Sequence, residues 1–267
     1  MAMDKAEEVA AAQKEERHES VIDEILSKLP TSFVTVILLF VALGNFNDSF
    51  EVINRFFEFG RSLFSNEIYY ERITNVKVNL NARYLERSLG EPQLIKRVGE
   101  DLDANYYFDD QFMLVFFERQ ERVEGYYVMS FNDSFQPSIS LDEEDDKPLW
   151  STPFDEITAS TDGFGMDFSK NNSYYLESTS MVSNGLSLNI YLGWSSVANE
   201  NLDEDLYADL EGIYEADLMG SDDLIEKVMV FRATYSPNFY GYGNFDVAVV
   251  EESMLTNSEL LFYAGIN

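Results

Sequence analysis

The pattern of apolar and polar residues changes several times along the chain, and the longest apolar run comes early. Residues 29–47 (LPTSFVTVILLFVALGNFN) contain no charged side chain and lie between Lys28 and Asp48. A helix needs about 20 mostly apolar residues to cross the core of a bilayer. The run therefore predicts a membrane-spanning helix, with a buried core helix as the alternative. A cleaved signal peptide fits less well, because residues 1–28 before the run are net acidic rather than short and basic.

Helical spacing of apolar residues continues on both sides of this run. Residues 1–28 are expected to form a polar helical tail. An apolar stripe at its end leads into the apolar run: Ile22, Ile25, Leu26 and Leu29. This stripe either packs on a partner or belongs to a solvated lead-in helix, and the second interpretation is favoured. Residues 48–66 predict an amphipathic connecting helix with an aromatic-rich face: Phe50, Ile53, Phe57 and Phe64. This helix either lies in the membrane interface or docks on the domain that follows, and the sequence favours neither.

Residues 72–92 carry signals for both ends of a short helix. Asn81 is a favourable N-cap, Gly90 stands just after the last turn, and Pro92 prevents continuation. We therefore predict a helix from Ala82 to the residue before Gly90, with this glycine in a left-handed conformation. Its predicted apolar face consists of Tyr84, Leu85 and Leu89.

Three runs rich in aromatic and β-branched residues follow this helix. They are NYYFDD, QFMLVFFERQ and RVEGYYVMSF, separated by acidic or charged turns over residues 105–131. Such runs predict β-strands. Residues 67–138 are thus expected to form a helix packed against a three-stranded meander.

This helix and meander resemble the small domain of the SmpA/BamE outer-membrane assembly lipoproteins, over about residues 75–131. The family pattern is G-x-[ST]-x-x-x-V-x-x-x-L-G-x-P, and the corresponding positions here are Asn79, Asn81, Leu85, Leu89, Gly90 and Pro92. The last three match, whereas the first three replace Gly, the cap residue and Val. A lipidated cysteine is missing and the C-terminal extension is long. The arrangement is also similar to uncharacterised bacterial membrane-anchored proteins. The resemblance implies a non-catalytic module facing the cell envelope.

The chain between residues 139 and 196 alternates between a break and further strands. Residues 139–149 (ISLDEEDDKPL) predict an acidic loop, for which solvation is favoured over a divalent-ion site because a calcium-loop pattern is missing. Residues 150–196 predict strands, with Asn184-Gly185 as a hairpin turn. The run LSLNIYLGW alternates apolar and polar residues, which indicates a strand with one buried face.

The remaining segments of the C-terminal region, residues 150–267, were interpreted from their local patterns. Residues 200–218 predict an amphipathic acidic helix, whose carboxylates are either a solvated face or an interaction surface. Residues 227–235 (KVMVFRATY) predict a strand, and the chain end predicts a strand and a short helix. The Gly- and Asn-rich segment that follows the predicted strand 227–235 is expected to be a loop. Its aromatic residues either pack within the protein or stack on sugars or peptides: Tyr235, Phe239, Tyr240, Tyr242 and Phe245.

Composition limits the chemistry that such a chain can perform. The net charge of −31 excludes a general binder of nucleic-acid phosphates. The large negative charge and the scarcity of Lys favour a marine or halophilic source over an ordinary acidic protein. The sequence has no cysteine, and its one histidine, His18, lies in the N-terminal tail. Thiol catalysis, Ser-His-Asp chemistry and thiolate or imidazole metal sites are therefore excluded from the region after residue 66.

These observations together predict an α+β protein: a membrane-spanning helix, then a domain of mainly antiparallel sheet with a few short helices. We expect a non-catalytic binding or scaffold protein without cofactor or metal, anchored in the lipid bilayer by residues 29–47 and bound to another envelope protein. Basic residues slightly favour a cytoplasmic N-terminus, which places the domain in the periplasm of a bacterial inner membrane. The alternatives are a carboxylate-dependent hydrolase of envelope glycans and a cytoplasm-facing regulatory or defence protein.

Overall fold

A computed structural model describes residues 67–99, 101–140, 146–183, 186–197 and 203–264. The predicted tail (1–28), membrane-spanning helix (29–47) and connecting helix (48–66) lie outside these residues. The turn Asn184-Gly185 and residues 141–145 of the acidic segment do so as well. Within the described residues, no helix is both long enough and apolar enough to cross a membrane.

The described part of the chain contains seven helices and ten strands. The helices are α1 (Glu67–Thr74), α2 (Ala82–Leu89), α3 (Phe154–Ile157), α4 (Glu204–Met219), α5 (Leu224–Thr234), α6 (Val247–Ser253) and α7 (Asn257–Ala264). The strands are β1 (Leu94–Val98), β2 (Leu102–Phe108), β3 (Phe112–Arg119), β4 (Arg122–Ser130), β5 (Ser138–Ser140), β6 (Asp146–Pro148), β7 (Gly163–Phe168), β8 (Ser173–Ser183), β9 (Leu186–Ser195) and β10 (Phe239–Gly243).

Eight of these strands form one antiparallel sheet in the order β1-β2-β3-β4-β10-β9-β8-β7. Two meanders, β1–β4 and β7–β9, are joined by β10, which is the last strand in sequence but lies in the middle. Tyr240 of β10 stands opposite Val128 on one side and Leu192 on the other. The predicted α+β class with a mainly antiparallel sheet is confirmed, and so is the β8–β9 pairing that the hairpin signal predicted.

Both faces of the sheet are covered. On one face, Leu114 and Phe116 of β3 belong to a core that also holds residues of the helices α1 to α5. On the other, Val115 and Phe117 belong to a core with Val250 of α6 and residues of α7. Coverage on both faces explains the uninterrupted apolar run FMLVFF, because each successive side chain enters one of the two cores.

The helix α2 has the bounds that the capping signals predicted. Asn81 Oδ1 accepts a hydrogen bond from the backbone N–H of Arg83 over 3.1 Å, and Leu85 is buried. Gly90 has φ 89° and ψ −170°, so its φ is positive as predicted, although its ψ lies outside the left-handed helical region. Leu89 is only half-buried, and Tyr84 is exposed rather than part of the apolar face. The cap is tied to the meander because Ala82 N–H donates to Glu121 O.

Two predictions for the C-terminal region are wrong. Residues 227–235 do not form a strand, because Val228, Phe231 and Arg232 are buried at helical spacing in α5. The aromatic segment after it is not a loop but contains β10. The glycines of this segment indicated a loop. In the structure, however, a side chain on Gly241 would collide with β4, because its Cβ would lie 2.3 Å from the carbonyl oxygen of Tyr126. Glycine at this position therefore permits close packing of a central strand.

Four smaller differences follow from tertiary contacts. The strand β9 is buried on both faces, not one, because Tyr191 enters the second core while Ile190 and Leu192 enter the first. The acidic segment 139–149 contributes to a two-stranded ladder of β5 and β6 instead of forming only a loop. The predicted final strand is replaced by the helix α6, whereas α7 corresponds to the short helix that was predicted after it. The edge strand β1 and the helices α1 and α3 were not predicted.

Candidate interaction surface

The most deeply buried acidic group of the sheet is Glu177 on β8. Arg232 of α5 donates from Nε to Glu177 Oε2 over 2.9 Å, and the Tyr175 hydroxyl donates to the same oxygen over 2.8 Å. Arg232 Nη2 also donates to the carbonyl oxygen and the hydroxyl oxygen of Thr158. The Thr158 hydroxyl in turn donates to Glu177 Oε1 over 3.3 Å. Sheet, α5 and the residue that ends α3 are thus joined by one network.

This network is structural rather than catalytic. Burial raises the pKa of Glu177, while the Arg232 guanidinium and the hydrogen bonds lower it again. Both charged side chains are at most 7% exposed, and each is satisfied by partners within the protein. A catalytic acid must reach a substrate in an open cleft. The pair instead holds α5 against the sheet.

Two other carboxyls, Glu118 on β3 and Glu251 on α6, have raised pKa values because of partial burial. Glu251 accepts a hydrogen bond from the Tyr174 hydroxyl over 3.2 Å. Neighbouring carboxylates add to the rise, Glu86 and Asp103 beside Glu118, and Asp246 and Asp167 beside Glu251. A glycosidase pair also requires an open site between two carboxyls about 5–10 Å apart, and the groove between α4 and α5 is lined by neither Glu118 nor Glu251. Among the described residues, no three potential metal ligands come together either.

The five aromatic residues of the predicted interaction loop form packing contacts within the protein. Phe239 and Tyr240 are buried on opposite faces of β10. The Phe245 ring stacks on Tyr191 with centroids 5.4 Å apart. The Tyr235 hydroxyl donates to Asp209 Oδ2 over 2.8 Å, and the Tyr242 ring lies edge-on to that of Tyr240. The structure thus corresponds to the packing alternative, not to exposed stacking residues.

A different surface emerges from the helical hairpin of α4 and α5. The side chain of Asp203 caps α4 by accepting from the backbone N–H groups of Asp205 and Leu206. Of the apolar stripe that the sequence predicts, Leu206, Leu210 and Ile213 are buried, Tyr214 is half-buried and Leu202 lies outside the described residues. Ala216 is buried as well. Its last turn leaves Leu218 and Met219 exposed. A four-residue connection, 220–223, then leads into α5.

The helix α5 is apolar on both sides and buries only one of them. Its inward face contains Val228, Phe231 and Arg232, whereas Ile225 and Met229 point outward one helical turn apart. We call the exposed set the hairpin surface, and its five side chains are 55% to 81% exposed: Leu218, Met219, Ile225, Met229 and Val230. Single exposed apolar side chains are common, but a group on adjacent turns marks an interaction site.

A groove of about 330 Å³ lies beside the hairpin surface, between the two helices. On α4 it is lined by Ala208, Asp209 and Gly212, and on α5 by Glu226, Lys227 and Val230, with Asp223 just before α5. The small residues Ala208 and Gly212 stand four positions apart and keep one wall low. Three of the lining residues are acidic, and the lining base, Lys227, lies 3.7 Å from the Asp223 carboxylate.

Sequence reasoning predicted α4 but missed this surface, because the β-branched run in α5 was interpreted as a strand. The available signal was helical spacing in two sets of apolar residues, Ile225 with Met229 four positions apart and Val228 with Phe231 three positions apart. When a short helix with apolar residues on two sides follows an amphipathic acidic helix, the two are expected to form a hairpin in which one apolar side of the short helix stays exposed.

Comparison with known proteins gives little further information. No family model and no curated protein matches this chain. A solved structure of an extracellular protein containing a SCP domain, from Bacillus anthracis str. Ames, is similar to it with a TM-score of 0.34 and 11% identity. The similarity covers 65% of this chain and 45% of that one, so this chain spans less than half of that protein's length.

Proposed function

We propose that this chain is a non-catalytic binding or scaffold protein of the bacterial cell envelope, anchored in the inner membrane by residues 29–47. Its domain faces the periplasm and binds another protein through the hairpin surface. The observation that carries this proposal is the group of five exposed apolar side chains on α4 and α5. Leaving such a group in water is unfavourable, and a partner that covers it removes that cost.

The corner formed by α2 supports the proposed relation to SmpA/BamE-like envelope modules. Asn79, which stands at the first glycine of that pattern, has a positive φ of 68°. Glycine adopts such a φ without strain, and Asn is among the other residues that tolerate it. Asn79 therefore adopts a conformation that glycine, the residue of that pattern, adopts without strain.

The anchor is tested by extracting cell membranes with alkaline carbonate. We expect the full chain to stay in the membrane pellet, because residues 29–47 lack charge. A Leu39→Asp variant places a carboxylate in the middle of this run and should move protein to the supernatant, since a central charge costs about 2.5–3.5 kcal/mol on insertion scales. Full-length protein in the supernatant before this change would contradict the anchor.

The binding role is tested in living host cells with a photo-reactive amino acid at single positions. Met229 lies on the hairpin surface, and Ile95 on β1 provides a matched control because their exposures, 65% and 59%, are similar. We expect a discrete cross-linked product from position 229 and none from position 95. Absence of a product at 229, with the variant folded and abundant, would contradict the binding role.

A further inference from the structure

The chemistry of the hairpin surface and its groove is specific enough to define a class of partner. Ile225 and Met229 present a short apolar row along α5. Val230 lies about 100° further round the helix, beyond Glu226, and lines the groove. Methionine side chains are flexible and adapt to differently shaped apolar partners. The wall at Ala208 and Gly212 is low, and the Lys227 amine lies over it, 3.5 Å from where a Cβ on Gly212 would stand. Lysine is long and flexible, so this amine can move aside when a large side chain of a partner helix enters.

The charge around this apolar row is strongly acidic. Asp209, Asp223 and Glu226 line the groove. Further exposed acids on the same hairpin are Glu211, Glu215, Asp217 and Asp222. The other base of α5, Arg232, is buried against Glu177, so it does not offset these charges at the surface. A hydrogen bond with Ser221 and the charge of Lys227 lower the pKa of Asp223 below its ordinary value.

This combination discriminates between possible occupants. A second copy of the hairpin would bring the acidic side chains of its groove and helices against the same acidic side chains. Like charges at close range oppose association. An anionic bilayer surface would be repelled for the same reason. A helix with an apolar stripe bordered by Lys or Arg would match both the apolar row and the acids. Among the other exposed apolar residues, Ile95 and Val182 stand singly on strands, whereas Leu261, Phe262 and Tyr263 form a second group on α7, a helix with one acidic residue, Glu259.

We propose that the hairpin surface and its groove bind a basic amphipathic helix of a partner protein. Large apolar side chains of that helix contact Ile225, Met229 and Val230 and enter the groove above Gly212. Its basic side chains pair with Asp209, Asp223 and Glu226 and compete with Lys227 for Asp223. This inference rests on the proposed binding role and adds the chemical class of the partner.

The probe is a labelled 18-residue synthetic peptide of Leu and Lys, with Leu at helical spacing on one face. Its binding to the full chain is measured by fluorescence anisotropy at physiological salt. One control peptide has the same composition in an order that destroys the apolar stripe, and a second replaces Lys by Glu. Because both cationic peptides carry the same charge, non-specific attraction to a chain of net charge −31 is separated from recognition.

We expect the amphipathic peptide to bind at least tenfold more tightly than the rearranged one, and the Glu peptide not to bind. A chain with Ile225→Ser and Met229→Ser should bind the peptide at least tenfold more weakly. A chain with Asp223→Asn and Glu226→Gln should bind it three- to tenfold more weakly at low salt and less so at high salt. Ile95→Ser, the matched control, should change binding less than twofold.

Equal binding of the two cationic peptides, or unchanged binding by the hairpin variants, would overturn the proposal. It would also be overturned if the photo-reactive residue at position 229 cross-linked to lipid instead of to a protein, since the surface would then recognise lipid. Failure of the binding role is distinguishable, because it removes the cross-link at position 229. A cross-link at 229 combined with peptide indifference would refute only the partner class.

Discussion

Replacing Arg232 by Met removes the cation from a network whose acidic member cannot reach water. Glu177 is 1% exposed and would keep two neutral donors, Tyr175 and Thr158, but no charge partner. Met has a similar apolar length, so the change creates little empty space. The variant therefore isolates the electrostatic contribution of Arg232 from its packing.

The expected loss of stability can be bounded from the protonation of Glu177. A buried carboxylate without its partner takes up a proton, and at pH 7 this costs about 1.4 kcal/mol for each pH unit above its ordinary pKa of 4.5. The cost of protonation is thus at most about 3.5 kcal/mol relative to the parent, in which the pKa of Glu177 is already raised. The hydrogen bonds from Arg232 to Thr158 are lost in addition. We expect a total of about 3–5 kcal/mol, the range found when one partner of a buried pair is removed.

The loss should depend on pH in a defined direction. In the variant the folded-state pKa of Glu177 is raised further, because desolvation remains and the attraction of Arg232 is gone. A group with a raised folded-state pKa is most favourable below its unfolded pKa and loses stability as pH rises through the folded pKa. At pH 5 the cost of protonation is only about 0.7 kcal/mol. The variant should therefore be destabilised less at pH 5 than at pH 7.

Urea unfolding at both pH values, followed by the fluorescence of Trp150 and Trp194, measures these free energies. Two further variants act as controls. Glu177→Leu combined with Arg232→Met removes both charges and should recover most of the lost stability. Arg232→Lys keeps the charge but loses the planar fork, so it should be intermediate. A loss below about 1 kcal/mol at pH 7 for Arg232→Met, or the same loss at pH 5, would refute this reasoning.

Three other predictions concern the fold and the absence of catalysis. Gly90→Val should cost about 1–3 kcal/mol, because Gly90 has a φ of 89° that strains a β-branched residue. Leu85→Ala should cost about 2–5 kcal/mol, because Leu85 is buried. Glu91→Ala, just past the helix, should be nearly neutral in the same urea melts. Gly241→Ala should cost about 1–3 kcal/mol, because its Cβ would meet the backbone of β4, whereas Gly163→Ala on β7 meets nothing within 4 Å and should unfold like the parent. A screen of glycan hydrolase substrates should show no turnover, and any activity that disappears in Glu118→Gln or Glu251→Gln would revive the carboxylate hypothesis.

Features fixed by local chemistry could be predicted from the sequence. Asn81 and Gly90 define the ends of α2 through capping and a positive φ, which depend on neighbouring residues alone. The strand β3 was predicted because its run is rich in aromatic and β-branched residues and lies between charged turns. Long-range contacts were not needed for either prediction.

Features fixed by distant contacts could not be predicted in this way. Gly241 resembles a loop residue until β4 is placed beside it, at which point its missing side chain becomes a packing requirement. The run in α5 has strand-like composition, and it is helical because Phe231 and Arg232 meet partners on α3 and β8. The hairpin surface was missed with it, since a surface is known only when the buried side of its helix is known.

The same ion pair accounts for the orientation of α5. Its sequence, LIEKVMVFRAT, has apolar residues around most of its circumference, so hydrophobicity alone does not select which side is buried. Arg232 has one acidic partner under the helix, Glu177, and this pairing turns Val228 inward and Met229 outward. We therefore infer that the buried pair determines which apolar side chains form the hairpin surface.

This inference separates orientation from stability. The Glu177→Leu and Arg232→Met double variant should regain stability but lose the constraint on helix rotation. The chain contains no cysteine, so a single Met229→Cys or Val228→Cys reports its own accessibility to a thiol reagent. With the pair intact, position 229 should react much faster than 228, and in the double variant this ratio should fall severalfold. Ile95→Cys should react equally in both backgrounds. An unchanged ratio would show that packing, not the ion pair, orients α5.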